Sequence, residues 1–374
     1  MSTPGTVIEC KAAVAWEPGK PLKITTVKVH PPKDHEVRIK MLYAGVCHTD
    51  WSYLYHGGQQ DWPFPLVLGH EGAGVVESVG PQVTKVSPGD QVIPLFLPEC
   101  GTCAQCRSGK TNMCRNNWAQ SQKGVMADGT SRVSCNQQQV YQFLGVSCLS
   151  QYTVVSDAAV ARIRADAPLE TVCLLGCGVS TGYGAALNAA KVQRGSTCAV
   201  FGLGAVGLAA VVGCRAAGAS RIIAVDSNSQ KTKKALALGA TEFINPQEPH
   251  KKPVQDQLRE MTSGGVDYAL ECTGDVSSMA QALESTVEAW GVCVVAGCTE
   301  PLRIHGDQLL MGRTIKGTYF GGWRGASDLP GLVDKYMKNK KDLSLETFIT
   351  KRLRLEDVNT ALQLLRSGDS PVRG

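Results

Sequence analysis

Four closely spaced cysteines give the sharpest chemical signal in this sequence. Cys100, Cys103, Cys106 and Cys114 follow a C-x2-C-x2-C-x7-C pattern. Four thiolates this close can surround a metal ion tetrahedrally, as in a structural zinc site. An iron–sulfur cluster or a chance grouping in a cysteine-rich chain is the alternative. Zinc is favoured because one compact set needs no redox partner, and its full coordination leaves no position for catalysis.

A second set of metal-ligand types is dispersed along the chain. It consists of Cys47 in GVCHTD, His70 in LGHEGAG and Cys177 in LLGCGVSTG. Buried cysteines are usually small apolar residues, and most histidines are ordinary polar groups, so spacing alone leaves a second metal site open. Polar residues directly follow two of the three and favour such a site: His48, Thr49, Asp50 and Glu71.

The third signal is the glycine motif GLGAVG. Gly202, Gly204 and Gly207 form G-x-G-x-x-G after the apolar run CAVF and at the start of a predicted helix. Asp226 ends the next predicted strand, about 20 residues on, where a carboxylate can bind an adenosine ribose. That carboxylate repels a 2′-phosphate, so NAD is favoured over NADP. The alternative is a glycine-rich packing turn beside a solvated aspartate.

The elements that position these residues fall into two patterns. From Ala12 to about Gln151 the chain shows short β-rich runs such as EVRIKML and GAGVVESVG. From about Thr181 strands alternate with helices, which is typical of a doubly wound parallel sheet in an α/β protein. After Tyr319 the alternation stops, and helices are predicted near 329–338 and 355–368. We expect this tail to return to the first domain.

Composition limits the classes of function. The chain has 374 residues, 43% hydrophobic and 19% charged, with a net charge of +5 spread without a basic block. This balance favours a folded protein with small-molecule partners and argues against nucleic-acid binding. The long uncharged run from Ser196 to Cys214 is interrupted by glycines, so we predict a strand and a buried helix and no membrane span. The 15 cysteines and the absence of a signal-like start predict a reducing cytoplasmic location.

Many separate segments together resemble the zinc-dependent medium-chain alcohol dehydrogenases of the animal type, which include liver alcohol dehydrogenases and glutathione-dependent formaldehyde dehydrogenase. They include GVCHTD, LGHEGAGVVESVG, the four-cysteine loop, MADGTSR, LLGCGVSTGYGAA, GSTCAVFGLGAVGL and KGTYFGGW. The resemblance implies a Rossmann domain over 179–324. It also implies a mostly β GroES-like catalytic domain over 1–178 and 325–374, with a structural zinc lobe near 98–116. A homodimer holding NAD and two zinc ions per chain is expected.

The resemblance also implies roles for individual residues. Cys47, His70 and Cys177 match the ligands of a catalytic zinc whose fourth position is open to substrate. Near the metal, Thr49 matches the residue that passes on the alcohol proton, Asp50 the residue that orients His70, and Glu71 the carboxylate behind the metal. At the coenzyme, His48 and Arg373 match residues that contact the pyrophosphate. Lys231 matches a residue that contacts the adenosine ribose beside Asp226.

Departures from the family pattern bear on the substrate. Ser52 stands where a liver-type histidine ends the proton relay, so His56 or water is the expected terminus. Trp118 stands where formaldehyde dehydrogenases carry an arginine for the glutathione carboxylate. Phe96 and Leu144 match pocket-lining positions, and with Trp118 they favour a hydrophobic alcohol.

These observations predict an NAD-dependent enzyme that interconverts alcohols with aldehydes or ketones, with hydrophobic primary or secondary alcohols as substrates. The first alternative is an S-(hydroxymethyl)glutathione dehydrogenase. The second is a catalytically impaired protein that still binds zinc and NAD, which Ser52 and the unusual C-terminal sequence SPVRG leave open.

Overall fold

The computed structural model describes residues 3–56, 62–249, 252–297 and 301–367. The strands of this described part are β1 Ile8–Ala15, β2 Lys23–Val29, β3 Glu36–Gly45, β4 Leu66–Val67, β5 Glu71–Val79, β6 Gln91–Pro94, β7 Val133–Cys135, β8 Gln138–Gln142, β9 Tyr152–Ser156, β10 Val160–Arg162, β11 Thr197–Phe201, β12 Arg221–Val225, β13 Glu242–Ile244, β14 Tyr268–Glu271, β15 Val292–Val295 and β16 Thr314–Gly317. Its α-helices are α1 His48–His56, α2 Ala104–Ser108, α3 Arg115–Ser121, α4 Leu169–Val172, α5 Gly178–Gly184, α6 Ala205–Ala217, α7 Thr232–Leu238, α8 Val254–Met261, α9 Val276–Glu284, α10 Asp307–Leu310, α11 Gly325–Lys338, α12 Lys340–Leu343 and α13 Val358–Ser367.

The chain forms two compact units. The first comprises Met1–Cys177, Arg324–Lys340 and Leu345–Gly374, and the second comprises Gly178–Trp323 and Lys341–Ser344. Residues 341–344 of the predicted returning tail therefore group with the second unit. The first unit is mostly β, as predicted: a closed barrel has the strand order β1-β2-β7-β8-β4, and a second sheet has the order β10-β6-β5-β3-β9.

The pairing of β3 with β5 brings two distant parts of the sequence together. These strands are antiparallel, and their register ends with Gly45 opposite Glu71. The end of β3 therefore meets the beginning of β5. Side chains such as Val37 and Ile39 are fully buried in this sheet, and each buried aliphatic side chain of this size contributes about 1.5–3 kcal/mol to folding.

A buried arginine ties the N-terminal segment to this sheet. Arg38 on β3 is fully buried, and its Nε donates to Glu77 Oε2 on β5 at 2.6 Å. Its Nη1 donates to the carbonyl of Thr6 at 2.7 Å, and its Nη2 donates to that of Thr3 at 2.8 Å. The guanidinium is thus both charge-paired and hydrogen-bonded, which is what its burial requires.

The second unit contains the predicted parallel sheet. Its order is β13-β12-β11-β14-β15-β16, and the pairs are parallel, as β11 with β12 and β14 shows. The order reverses at the boundary between β11 and β14, which confirms a doubly wound Rossmann arrangement. The run from Ser196 to Cys214 contains β11 and most of α6. No single helix in the described ranges is long and apolar enough to cross a membrane; the helical segments Leu169–Gly176 and Gly178–Ala190 meet that criterion only as a broken pair.

Candidate metal centres and dinucleotide cavity

The dispersed cysteines and histidine converge in the first unit. Cys47 follows the end of β3, His70 precedes β5, and Cys177 follows a short 3-10 turn at 173–176. One potential ligand atom from each of Cys47, His70, Glu71 and Cys177 lies within 4.8 Å of the others. Cys47, His70 and Glu71 are buried. Two sulfurs, an imidazole and a carboxylate in one buried cluster fit a zinc ion.

Asp50 organises this cluster from the first turn of α1. His70 Nδ1 donates to Asp50 Oδ1 at 3.0 Å, and the amide of Gly69 donates to the same oxygen at 3.0 Å. The amide of Cys47 donates to Oδ2 at 3.0 Å. One carboxylate therefore positions both flanking ligands and leaves His70 Nε2 as the ligand atom.

The pKa of His70 is set by the groups beside it. Burial alone would lower the pKa of His70, but Asp50 and Cys47 beside it raise that pKa to about 10. A protonated imidazole cannot bind a metal, so metal binding must displace this proton. Asp50 and Cys47 thus favour a positive charge beside them.

Glu71 lies against the backbone of β3. A Cβ built at Gly45 would lie 2.4 Å from Glu71 Oε2, so only glycine at this position leaves room for the carboxylate. The predicted neighbourhood of Glu71 and the ligand residues is thus present in the structure.

Thr49, Ser52 and His56 share one face of α1. Their spacing of three and seven residues corresponds to one and two helical turns, about 5 and 10 Å along the axis. Direct proton transfer from Thr49 to His56 is therefore too long, and Ser52 or a water must lie between them. His56 is exposed, and its ring packs 4.9 Å from that of Trp51. His48 is also exposed and packs on Trp51 at 5.1 Å.

Aromatic rings surround His70. Phe96 lies 5.6 Å from its ring and Phe143 lies 5.8 Å from it. The sequence predicted Phe96 as a pocket residue but missed Phe143, whose only signal was its position beside Leu144. Leu144 is buried with a positive φ of 52°, and Trp118 is half-buried on α3.

The four-cysteine lobe forms a separate group of ligands. One sulfur from each of Cys100, Cys103, Cys106 and Cys114 lies within 4.8 Å of the others. The amides of Thr102 and Cys103 donate to Cys100 Sγ, each at 3.4 Å. A hydrogen bond from the amide of Cys106 is the main cause that lowers the pKa of Cys103 to about 6. Amide donors favour thiolates, so the lobe fits a tetrahedral Zn²⁺.

A cavity of about 380 Å³ lies at the carboxyl ends of the parallel strands and is lined by Gly202, Gly204, Asp226 and Lys231, among others. Gly202 has a φ of +81°, and a Cβ at Gly207 would lie 1.7 Å from the carbonyl oxygen of Gly202. Both positions therefore require glycine, Gly202 for the turn and Gly207 for the close approach. Helix α6 begins directly after this turn, and the unpaired amides at a helix N-terminus favour an anion.

Asp226 is held by three donors. The amide of Leu203 donates to its Oδ2 at 2.7 Å, that of Asn228 donates to Oδ1 at 2.8 Å, and Lys231 Nζ donates to Oδ2 at 2.9 Å. The predicted neighbours Asp226 and Lys231 thus form an ion pair at the cavity wall. The lining residues that the sequence did not predict include Gln247, Cys272 and Thr273. Cys272 and Thr273 directly follow β14 and so occupy a strand end where ligands bind. Arg373 lies outside the described residues.

Comparisons with known proteins agree with this arrangement. The family "Alcohol dehydrogenase GroES-like domain" matches residues 33–165, and "Zinc-binding dehydrogenase" matches residues 205–338. The chain is 52% identical over 369 residues to alcohol dehydrogenase class-3 of Myxine glutinosa, covering 98% of this chain and 97% of that protein. It is 51% identical over 373 residues to alcohol dehydrogenase class-3 of Drosophila melanogaster, covering 99% and 98%.

A solved structure shares the fold over nearly the whole length. It is an alcohol dehydrogenase zinc-binding domain protein from Burkholderia ambifaria, with a TM-score of 0.89, 35% sequence identity and coverage of 98% of both chains. These similarities extend through both units of the chain.

Proposed function

The chain belongs to the zinc-dependent alcohol dehydrogenase family, and from that premise we propose that it oxidises S-(hydroxymethyl)glutathione with NAD. The observation that carries this choice of substrate is the identity of 52% and 51% to class-3 alcohol dehydrogenases over nearly the full length. That class comprises the glutathione-dependent formaldehyde dehydrogenases. The similarity outweighs the expectation of a hydrophobic alcohol, which rested on Phe96, Trp118 and Leu144.

Arg115 supplies a positive charge near the position where Trp118 replaces the family's arginine. Arg115 is exposed on α3, three residues before Trp118, so the two side chains project from the same side of the helix. A guanidinium can bind a carboxylate through two parallel hydrogen bonds. We assign Arg115 as the anchor for a glutathione carboxylate, with Trp118 as an apolar surface beside it.

The convergent cluster holds the catalytic zinc in this proposal. Cys47, His70 and Cys177 are its ligands, and the buried Glu71 carboxylate lies beside them. Bound zinc supplies Lewis-acid polarisation of the substrate oxygen, and bound NAD supplies the hydride acceptor. The intact ligand set disfavours the alternative of a catalytically impaired protein. The lobe formed by Cys100, Cys103, Cys106 and Cys114 holds a second, structural zinc.

The chain's own side chains move the proton. As the substrate carbon loses hydride, the hydroxyl of Thr49 accepts the substrate hydroxyl proton and releases its own proton along the α1 face toward Ser52. Neither hydroxyl is basic, so both act only as relays. The proton reaches solvent through water or through the exposed imidazole of His56. Phe96 and Phe143 limit water around His70.

The cavity of the second unit binds NAD. The glycine turn at Gly202 and Gly204 and the start of α6 receive the pyrophosphate, with Gly207 permitting their close packing. Asp226 and Lys231 bind the adenosine ribose, and His48 and Arg373 are assigned to the pyrophosphate. A carboxylate at Asp226 disfavours the 2′-phosphate of NADP.

The test is a comparison of substrates. We expect kcat/KM for S-(hydroxymethyl)glutathione to exceed that for octanol, with NADH formation as the readout. Arg115→Ala should lower kcat/KM for the adduct about 10- to 100-fold, since a charged hydrogen bond contributes about 1.5–3 kcal/mol, and it should leave octanol unaffected. Arg107→Ala, which removes another charge from the lobe, is the control. A higher kcat/KM for octanol would favour the hydrophobic-alcohol function instead.

We further propose that two copies associate through the second unit. Strand β16 is at the edge of the parallel sheet, and the neighbouring Leu310 and Met311 are 87% and 54% exposed. An open strand edge beside exposed apolar residues favours a homodimer. Leu310→Asp should yield a monomer in light scattering, whereas an unchanged mass would contradict this interface.

A further inference from the structure

A groove of about 590 Å³ lies in the first unit, and none of the metal-ligand candidates is among its lining residues. One wall is the end of β3, at Leu42–Gly45, and the opposite wall is the segment 349–355. The floor includes the buried side chains of Leu149, Leu174 and Val358. A volume of this size is sufficient for a small ligand or for several residues of a peptide.

The β3 wall of the groove is an open strand edge. On one side β3 pairs with β5 as far as Gly45. On the other side it pairs with β9 only from Glu36 to Lys40, and the amide of Met41 adds one bond to the carbonyl of Gln151 at 2.9 Å. Beyond Met41, none of the described residues pairs with this side of the strand. Such an edge is a template for another strand.

Apolar side chains border the open edge. Leu42 and Tyr43 are 47% and 46% exposed, and Leu353 on the opposite wall is 38% exposed. Residues 349–354 form neither helix nor strand, and Arg354 has an extended backbone with φ −85° and ψ 162°. The groove therefore runs between two lengths of non-helical backbone with apolar side chains on both sides.

Positive charge is concentrated on the second wall. Lys351, Arg352 and Arg354 all contribute to the lining. Arg352 pairs with Glu170, which also lines the groove, and Arg354 interacts with Glu356. Lys351 has no carboxylate within ion-pair distance in the described part of the chain. The lining therefore carries more cations than carboxylates, and this excess of positive charge beside an apolar groove favours a ligand with a negatively charged end.

We propose that this groove binds an extended peptide segment of a partner protein, which adds to the open edge of β3 as a further strand. Residues 42–44, which are exposed or half-buried, offer about 10 Å of edge at roughly 3.3 Å per residue, enough for three residues of the peptide. Alternate apolar side chains of the peptide enter the groove, and an acidic residue or C-terminal carboxylate meets Lys351 and Arg354. An acyl chain would fill the apolar space but leave the backbone groups of the edge unused.

The probe is a fluorescein-labelled heptapeptide of alternating valine and threonine with a C-terminal glutamate. Binding to the full-length protein is measured by fluorescence anisotropy. We expect saturable binding that weakens with added salt. The same peptide with proline at its second and fourth positions should bind at least tenfold more weakly, because it lacks amide donors and cannot complete a strand ladder.

Protein variants test the charged wall. The double variant Lys351→Glu/Arg354→Glu should weaken binding of the probe at least tenfold while leaving turnover with NAD unchanged. Lys338→Glu, an exposed charge reversal on α11 in the same unit, should leave binding unchanged. Three outcomes would each overturn strand addition. The first is the absence of binding, and the second is equal binding of the proline peptide. The third is displacement of the labelled probe by decanoate but not by the unlabelled peptide.

Discussion

Asp50 and His70 are joined by a 3.0 Å hydrogen bond between Oδ1 and Nδ1, and both side chains are fully buried. The carboxylate fixes the ring so that Nε2 points toward the two thiols. Asp50→Asn keeps the shape but removes the charge, so we expect zinc affinity and turnover to fall about 10- to 100-fold. The readouts are zinc content by atomic emission and kcat with added zinc.

A second histidine–aspartate pair provides the control for this variant. His35 and Asp157 lie 3.2 Å apart with His35 exposed, away from the cluster. Asp157→Asn should change neither zinc content nor turnover. Equal losses in the two variants would mean that Asp50 acts only through general stability.

We expect coenzyme preference to depend on Asp226. We expect Asp226→Asn to raise the ratio of kcat/KM with NADP to that with NAD by at least tenfold, because the 2′-phosphate no longer meets a carboxylate. The single amide oxygen can still accept one of the two backbone hydrogen bonds, which reach different oxygens of Asp226. Glu242→Gln on β13, which removes a partner of Arg221, is the matched control. An unchanged ratio in Asp226→Asn would remove Asp226 from the ribose site.

The four-cysteine lobe should support stability and not chemistry. Cys103→Ser is expected to reduce bound zinc from two to one per chain and to lower Tm, since a closed structural site contributes directly to folding. The kcat of the remaining folded enzyme should stay close to that of the wild type. Cys135→Ser, a buried cysteine outside both clusters, should retain two zinc ions. Loss of hydride transfer in fully folded Cys103→Ser would contradict this division.

Acid sensitivity should arise in part from Glu77. Burial alone would raise its pKa, but hydrogen bonds from Arg38, Ser78 and Thr3 lower it below the ordinary value. The carboxylate therefore stabilises the fold above the ordinary glutamate pKa of about 4.3, and this stability is lost as the pH falls through the lowered value. Glu77→Gln leaves Arg38 without its buried charge partner and should cost about 3 kcal/mol at neutral pH.

Urea unfolding at pH 7 and at pH 3 measures this effect. The difference between wild type and Glu77→Gln should shrink at the lower pH. Glu9→Gln removes an exposed partner that lies 3.7 Å from Lys28, and its effect should stay within about 0.5 kcal/mol. A similar small loss in Glu77→Gln would show that Arg38 finds another partner.

The sequence predicted best those features that are local. The four cysteines of the lobe lie within 15 residues, and the glycine turn lies between one strand and one helix, so short-range patterns were sufficient to find them. The second set of ligands, Cys47, His70 and Cys177, is far apart in the chain. From the sequence, only the resemblance to a family indicated that these residues form one site. The structure explains part of this grouping, because the antiparallel register of β3 and β5 brings Cys47 close to His70. Phe143 and the β3 groove escaped notice because ring contacts and open edges are properties of tertiary packing.

The contacts of Asp226 have a consequence for the entropy of the proposed coenzyme binding. Its carboxylate accepts hydrogen bonds from two backbone amides and from Lys231, so its rotamer is selected when the chain folds. A ribose that arrives at the cavity meets an acceptor whose orientation is already set. Immobilising a side chain usually opposes association by about 0.5–1.5 kcal/mol. For Asp226 this entropy cost arises when the chain folds and not when the coenzyme binds.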